Sequence, residues 1–235
     1  NFIEVDDTAS SFGDLRFAIG SGAFMDGSLG MAFLPGTRGL VSGFDDIDGD
    51  IFLRNFSDTA LNSSGGEATY TVIHEVGHAL GLSHPFHSGE TNPALHDHSC
   101  MCSSCLGMQE YTFGSDSTMG SADRDSSVYS VMSYGFSQKL GGSMYRSDPT
   151  SSTYMVDDVR ALQYLYGADT SFSAGSNIYD YSFFSPDNEG FIKSVYDYAG
   201  TDTFDFSNQA FETRGTLNKN DYLFIDGNPS NGTVT

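Results

Sequence analysis

Basic residues are scarce in this chain: Lys and Arg total 10 against 31 Asp and Glu, a formal net charge of -21 over 235 residues. That balance excludes a nucleic-acid partner, because polyanions are held by Lys and Arg neutralising their phosphates. Long hydrophobic runs are missing too. No apolar stretch approaches the roughly 18 residues of a membrane-crossing helix, so no membrane span is expected. Cysteine is limited to Cys100, Cys102 and Cys105, all within one short stretch. What is present is enough chain to bury a good core, as one domain or as a main unit with a smaller appendage. The acidic residues gather in loops rich in Gly, Ser and Asn. Such loops suit calcium, which takes hard oxygen ligands, although most of these carboxylates serve only to keep the surface solvated.

The most informative run is His74-Glu75-Val76-Gly77-His78-Ala79-Leu80-Gly81-Leu82-Ser83-His84. On a helix His74 and His78 stand one turn apart and project from the same face. Glu75 is not needed as a ligand, so its carboxylate is free to take a proton from a metal-bound water. Gly81 stops the helix and lets the chain swing back, bringing His84 to a third coordination position. Three neutral imidazoles leave one tetrahedral position open, which is the pattern of a catalytic rather than a structural zinc site. An amphipathic helix carrying surface histidines would need all five features to coincide by chance. Downstream, Ser130-Val131-Met132-Ser133-Tyr134 supplies a methionine for an apolar floor beneath the histidines and a phenol that could be brought to the zinc or to a developing oxyanion.

Around these motifs the sequence is punctuated by Gly, Asp and Pro. Phe2-Ile3-Glu4-Val5, Leu15-Arg16-Phe17-Ala18-Ile19, Met31-Ala32-Phe33-Leu34 and Ile51-Phe52-Leu53 have the character of short strands. The histidine helix is expected over residues 68–80, with Val72, Val76, Ala79 and Leu80 as its apolar stripe. A second helix is expected over 154–166, closing at Gly167. Short aromatic strands follow at 178–184, 191–198 and 203–206.

Taken together these motifs resemble the metzincin zinc metallopeptidases, and within them the serralysin family. The resemblance rests on the histidine motif and on flanking runs: Gly13-Asp14-Leu15-Arg16-Phe17, Met31-Ala32-Phe33-Leu34-Pro35-Gly36, Gly49-Asp50-Ile51-Phe52-Leu53, the run from Asp157-Asp158 to Tyr166-Gly167, and Thr201-Asp202-Thr203-Phe204-Asp205-Phe206-Ser207. It implies an α+β, zincin-like fold with a twisted, mainly parallel sheet, an active-site helix and a Met-turn at Met132, followed by a short β-rich C-terminal segment. It implies a catalytic domain over 1–170 and, over 171–235, the start of a calcium-binding region. No Gly-Gly-x-Gly-x-Asp repeat occurs in the sequence. A further strand and a long helix are expected ahead of the first strand, so an N-terminal fragment completing the sheet is an expected partner.

The function implied is secreted, extracellular zinc-dependent endoproteolysis of protein or peptide substrates. His74, His78 and His84 would hold zinc, Glu75 would be the general base and Tyr134 would assist at the oxyanion. An extended substrate would pair with the edge strand at 31–34. Calcium is expected as a structural ion held by Asp197, Ala199, Gly200 and Asp202, while the facing loop Ser173-Ala174-Gly175-Ser176-Asn177 lacks the carboxylate expected of it. Asp45-Asp46-Ile47-Asp48-Gly49-Asp50 is either a cation loop or simply solvated. Cys100, Cys102 and Cys105, preceded by His96-Asp97-His98, fit a local disulfide (Cys100–Cys105 or Cys102–Cys105), a second metal, or unengaged thiols. His87 has no assigned role. The alternative to an enzyme is a non-catalytic zinc- and calcium-binding surface or adhesion module.

Overall fold

The structure, a computed structural model, describes residues 3–6, 13–20, 25, 28–36, 47–61, 66–84, 127–133, 150–180, 191–207, 213–215, 223–225 and 233–234. The first strands are β1 (Arg16–Ile19), β2 (Gly30–Ala32) and β3 (Asp50–Leu53). They form one sheet in the order β1-β3-β2. β1 runs parallel to β3, with Arg16 opposite Asp50, and β2 runs antiparallel along the other side of β3. The opposed Arg16 and Asp50 close a two-pronged ion pair, Nε to Oδ1 at 2.6 Å and the second guanidinium nitrogen to Oδ2 at 2.8 Å. The fork of arginine matches a carboxylate in this way, which adds a side-chain rung to the parallel ladder.

A single-turn helix α1 (Asp58–Leu61) leads into α2 (Glu67–Ala79), the helix that carries the first two histidines. α2 lies between two apolar layers. Val72, Val76 and Ala79 pack with Ala32, Ile51 and Leu53 of the sheet. On its other side Tyr70 and Ile73 meet Leu82, Val128, Val131, Met132, Met155 and Ala161. The last two flank or belong to α3 (Val156–Tyr166), whose Tyr166 hydroxyl donates to the Leu80 carbonyl at the end of α2, 2.8 Å. The two helices found at 67–79 and 156–166 match the expected spans to within two residues.

The remaining strands are β4 (Thr150–Ser151), β5 (Ile178–Tyr179), β6 (Phe191–Lys193), β7 (Thr203–Phe204), β8 (Thr213–Gly215), β9 (Leu223–Ile225) and β10 (Thr233–Val234). They form a five-stranded sheet in the order β4-β6-β10-β9-β8 and a separate parallel pair, β5 with β7. β4 precedes α3 and pairs with β6 beyond it, so this sheet crosses the position at which the sequence suggested a domain boundary. The described residues therefore give a mixed α/β architecture with few helices and mostly parallel strand pairing.

One expected strand is corrected. Residues 3–6 lie outside any strand, and Ile3 and Val5 are 82% and 55% exposed. The alternation at 2–5 suggests a half-buried strand, but among the described residues Ile3 and Val5 have no packed face to cover.

Candidate metal centre

Helix α2 ends in a tight reversal that sets the site. Gly81 N–H donates to the His78 carbonyl at 2.8 Å and Leu82 N–H to the Gly77 carbonyl at 2.9 Å, the paired bonds of a Schellman motif. Gly81 has φ 97°, a conformation in which any Cβ is strained. The reversal carries His84 back over the helix, where it is 1% exposed. The three histidines thereby converge. His84 Nε2 lies 3.2 Å from His74 Nε2 and 3.1 Å from His78 Nε2, in a buried cluster.

The outer nitrogens determine what faces inward. His74 Nδ1 is 2.7 Å from the Val131 carbonyl oxygen and His78 Nδ1 is 2.8 Å from that of Leu82. A carbonyl only accepts, so both Nδ1 atoms carry the proton and both Nε2 atoms present bare lone pairs. His84 Nε2 can offer its one proton to only one of them. At least one pair of nitrogens at 3.1–3.2 Å therefore meets lone pair to lone pair, an arrangement relieved by a cation at the centre. Tetrahedral zinc with bonds of about 2.0–2.1 Å sets its nitrogens about 3.3 Å apart. The donor set and its spacing fit zinc.

Glu75 is buried beside the triad at 7% exposure, and it is seated against β2. A Cβ at Gly30 would fall 2.5 Å from Glu75 Cγ and 2.8 Å from Oε1, so the absence of a side chain at Gly30 makes room for the carboxylate. No local signal in the sequence marks Gly30, because the contact joins residues 45 apart. Gly30→Ala is expected to displace the carboxylate and to lower the melting temperature of the metal-free protein, while zinc binding by the three histidines stays unchanged. Thermal unfolding and metal analysis of that variant check it.

Met132 is 1% exposed, and a Cβ at Gly77 would lie 2.6 Å from its sulfur. Gly77 thus lets the thioether seat on the helix between the two histidine positions. The segment 127–133 is tied down from two sides. Tyr70 Oη lies 2.9 Å from both the Val131 and the Ser133 carbonyl oxygens. From α3, Asp158 accepts Ser130 O–H at 2.6 Å, Val131 N–H at 2.8 Å and Met155 N–H at 2.9 Å. Neither Tyr70 nor Asp158 was singled out from the sequence. The Asp158–Met155 bond is the reach-back of a capping box, which is visible locally, but its grip on 130–131 is not.

Burial dominates the electrostatics. It pushes the Glu75 carboxyl up to about 8 and the Asp158 carboxyl up to about 7, the latter against the hydrogen bonds from Ser130, Val131 and Met155. It lowers His74 to about 4, against the Val131 carbonyl. A carboxyl whose folded value is raised contributes stability at low pH that is lost as pH climbs to that value. A histidine whose folded value is depressed acts oppositely, and its contribution is complete above about 6.5. Of these three groups, only the two carboxyls still contribute between pH 6.5 and 8. The melting temperature of the metal-free protein is therefore expected to fall over that interval. Zinc flattens the slope, since a cation favours the ionised Glu75. Thermal unfolding at pH 6.5 and 8, with and without metal, measures both.

Among the other predicted residues, Asp197, Gly200 and Asp202 do come together, and they do so around the facing loop. Asp202 Oδ1 accepts Asn177 N–H at 2.9 Å, and Asp197 Oδ2 accepts the Tyr179 hydroxyl at 2.6 Å. The Asn177 amide nitrogen sits 3.1 Å from the Ser173 carbonyl, 2.9 Å from that of Gly175 and 3.2 Å from Asp197 Oδ2. Ser173 has φ 49°, and Gly200, with φ 136°, has no room for a Cβ against the Gly175 carbonyl oxygen. The oxygens that this loop turns towards the Asn177 amide are the Ser173 and Gly175 carbonyls rather than the carboxylate expected there, and backbone carbonyls carry no residue signature. In the acidic loop, Asp50 is committed to Arg16 and Asp48 Oδ2 accepts Gly36 N–H at 3.0 Å. Tyr134, Cys100, Cys102, Cys105, Asp45, Asp46, His87, His96, Asp97 and His98 lie outside the described residues.

No family model matches the chain. Curated relatives do. It is 31% identical over 97% of its length to metalloprotease AprA of Pseudomonas entomophila, covering 44% of that protein. It is 29% identical over 77% of its length to serralysin C of Dickeya chrysanthemi, covering 35% of it. With the serralysin of Photorhabdus luminescens the identity is 30% over 77% of this chain and 35% of the relative. The chain thus spans less than half the length of these curated relatives.

Proposed function

This chain is a homologue of the serralysin and AprA metalloproteases, and on that footing we propose that it is the catalytic part of a secreted zinc endopeptidase. The observation that carries the proposal is the convergence of three Nε2 atoms, two of them stripped of their proton by fixed carbonyl acceptors. His74, His78 and His84 would hold the metal. Bound zinc would polarise the scissile carbonyl and make water a nucleophile near neutral pH. Glu75 takes the proton of the attacking water and passes it to the leaving amine. Burial raises the proton affinity of this carboxyl and a bound cation would lower it again, so the two act on the base in opposite senses. Tyr134 is proposed, from its place two residues after Met132, to donate to the oxyanion. Met132 is proposed as the methionine of a Met-turn, supported by its seat on Gly77. β2, at the margin of its sheet among the described strands, offers an edge along which an extended peptide substrate can pair.

Calcium at the junction after α3 belongs to the same proposal. A half-turn of the Asn177 amide would put its oxygen among those of Ser173, Gly175 and Asp197, with Asp202 adjacent. Four or more oxygens facing one another are what a calcium ion assembles. The catalytic unit would comprise residues 1–170 and the calcium-linked β-rich part residues 171–235.

The non-catalytic alternative gains nothing from Glu75, since a purely structural site has no use for a buried base beside its ligands. The test is direct. The purified protein is expected to carry one zinc and to hydrolyse casein, and both are expected to vanish on treatment with a zinc chelator and return with added zinc. A protein that retains zinc yet leaves casein intact would turn the proposal towards the binding module.

A further inference from the structure

We propose that Asp158 and Ser130 are positioning residues for His74, acting through a continuous hydrogen-bond relay that leads from a buried carboxylate to the inner nitrogen of the metal site. The inference rests on the zinc reading above and extends it to residues that never touch the metal.

The relay can be followed atom by atom. Asp158 Oδ1 accepts the Ser130 hydroxyl at 2.6 Å. The same hydroxyl oxygen accepts Met132 N–H at 3.0 Å. Met132 N–H and the Val131 carbonyl are two ends of one peptide unit, and that carbonyl oxygen accepts His74 Nδ1–H at 2.7 Å. Each donor in this chain points towards the carboxylate, so each bond polarises the next in the same sense. A peptide group transmits well because withdrawing density at N–H, or supplying it there, alters its carbonyl oxygen through resonance. When Asp158 is ionised, the negative charge at the far end of the relay makes the Val131 oxygen a stronger acceptor. That strengthens the pull on the Nδ1 proton and enriches the electron density at Nε2.

Metal-bound histidines commonly donate their outer N–H to a carboxylate or carbonyl, and such partners change metal affinity about 10–100-fold. Here a carbonyl makes the contact and a carboxylate stands behind it at one remove. The burial of every member favours transmission. Ser130 is 6% exposed, Met132 1%, His74 4% and Asp158 2%, so water cannot short-circuit the chain. His78 has the Leu82 carbonyl of the local reversal as its acceptor. The relay traced among the described residues leads to His74.

A simple anchoring role would give a different result, and Tyr70 separates the two. Its hydroxyl also reaches the Val131 carbonyl and carries no charge. Zinc affinity of the wild type, Asp158→Asn, Ser130→Ala and Tyr70→Phe is measured by competition with a chromophoric chelator, and the visible bands of the cobalt-substituted proteins are recorded. Asp158→Asn and Ser130→Ala are expected to bind zinc about tenfold more weakly and to shift the cobalt bands. Tyr70→Phe is expected to remain within twofold of wild type, with unchanged bands. Equal losses in Tyr70→Phe and Asp158→Asn would make the segment's anchoring the cause and overturn the relay. Wild-type affinity in both relay variants would overturn it too. Should Asp158→Asn not fold, Ser130→Ala decides alone, because it keeps the carboxylate and its two backbone donors. A wild-type protein that binds no zinc defeats the metal reading itself, a result distinct from either of these.

Discussion

Glu75→Gln is expected to keep one zinc per chain and to lose peptide hydrolysis by about 10²–10⁴-fold, the span that a positioned proton-transfer group supplies. Gln fills the same space against Gly30, whose missing side chain makes room for the Glu75 stem, so the loss would not come from repacking. The variant carries a second signature. Burial lifts the Glu75 carboxyl to about 8, so the metal-free wild type pays for an ionised group at alkaline pH that Gln never imposes. Metal-free Glu75→Gln is therefore expected to melt higher than metal-free wild type at pH 8, and to differ little from it near pH 5. Inactive yet more stable is an unusual combination, and it separates a chemical base from a structural carboxylate. Turnover within tenfold of wild type would move the base to another residue.

Asp158→Ala is expected to produce a large loss of stability. Its carboxylate accepts three hydrogen bonds in a fully buried setting, from Ser130, Val131 and Met155. Alanine leaves those donors without their acceptor, at about 1–3 kcal/mol each. Release of a buried carboxylate offsets part of this, so a net loss of about 3 kcal/mol is expected in urea unfolding. Against the roughly 5–15 kcal/mol of a whole domain, that is a large share. A loss below about 1 kcal/mol would mean that the stranded donors find other acceptors.

The parts of this molecule legible in its sequence are those whose partners are close along the chain. The spacing of His74, His78, Gly81 and His84 encodes a helix, a stop and a reversal, and all three occur where the pattern put them. The apolar stripe of α2 was legible because helical periodicity repeats within a dozen residues. Pairings across distance were not. Arg16 with Asp50, Gly30 with Glu75, and Asp158 with Ser130 each join residues on separate elements, and nothing local announces them. At the junction the failure has another origin. Ser173 and Gly175 contribute backbone oxygen, which every residue has, so only the turn geometry reveals them. The strand expected at 2–5 shows the converse error, since alternation describes which faces a strand would have but not whether a neighbour exists to cover one.

The two outer carbonyls that orient His74 and His78 differ in how far they must travel. Leu82 is four residues from the histidine it serves, whereas Val131 is 57 residues from its own. Closing a long loop takes more conformational freedom than closing a short one, so the metal pocket has a prompt half and a delayed half. A chain that has folded only as far as residue 84 already holds His78 beside His84, with His78 in the right tautomer. The third ligand locks when the distant segment arrives, which makes ion capture a staged event coupled to the completion of the fold.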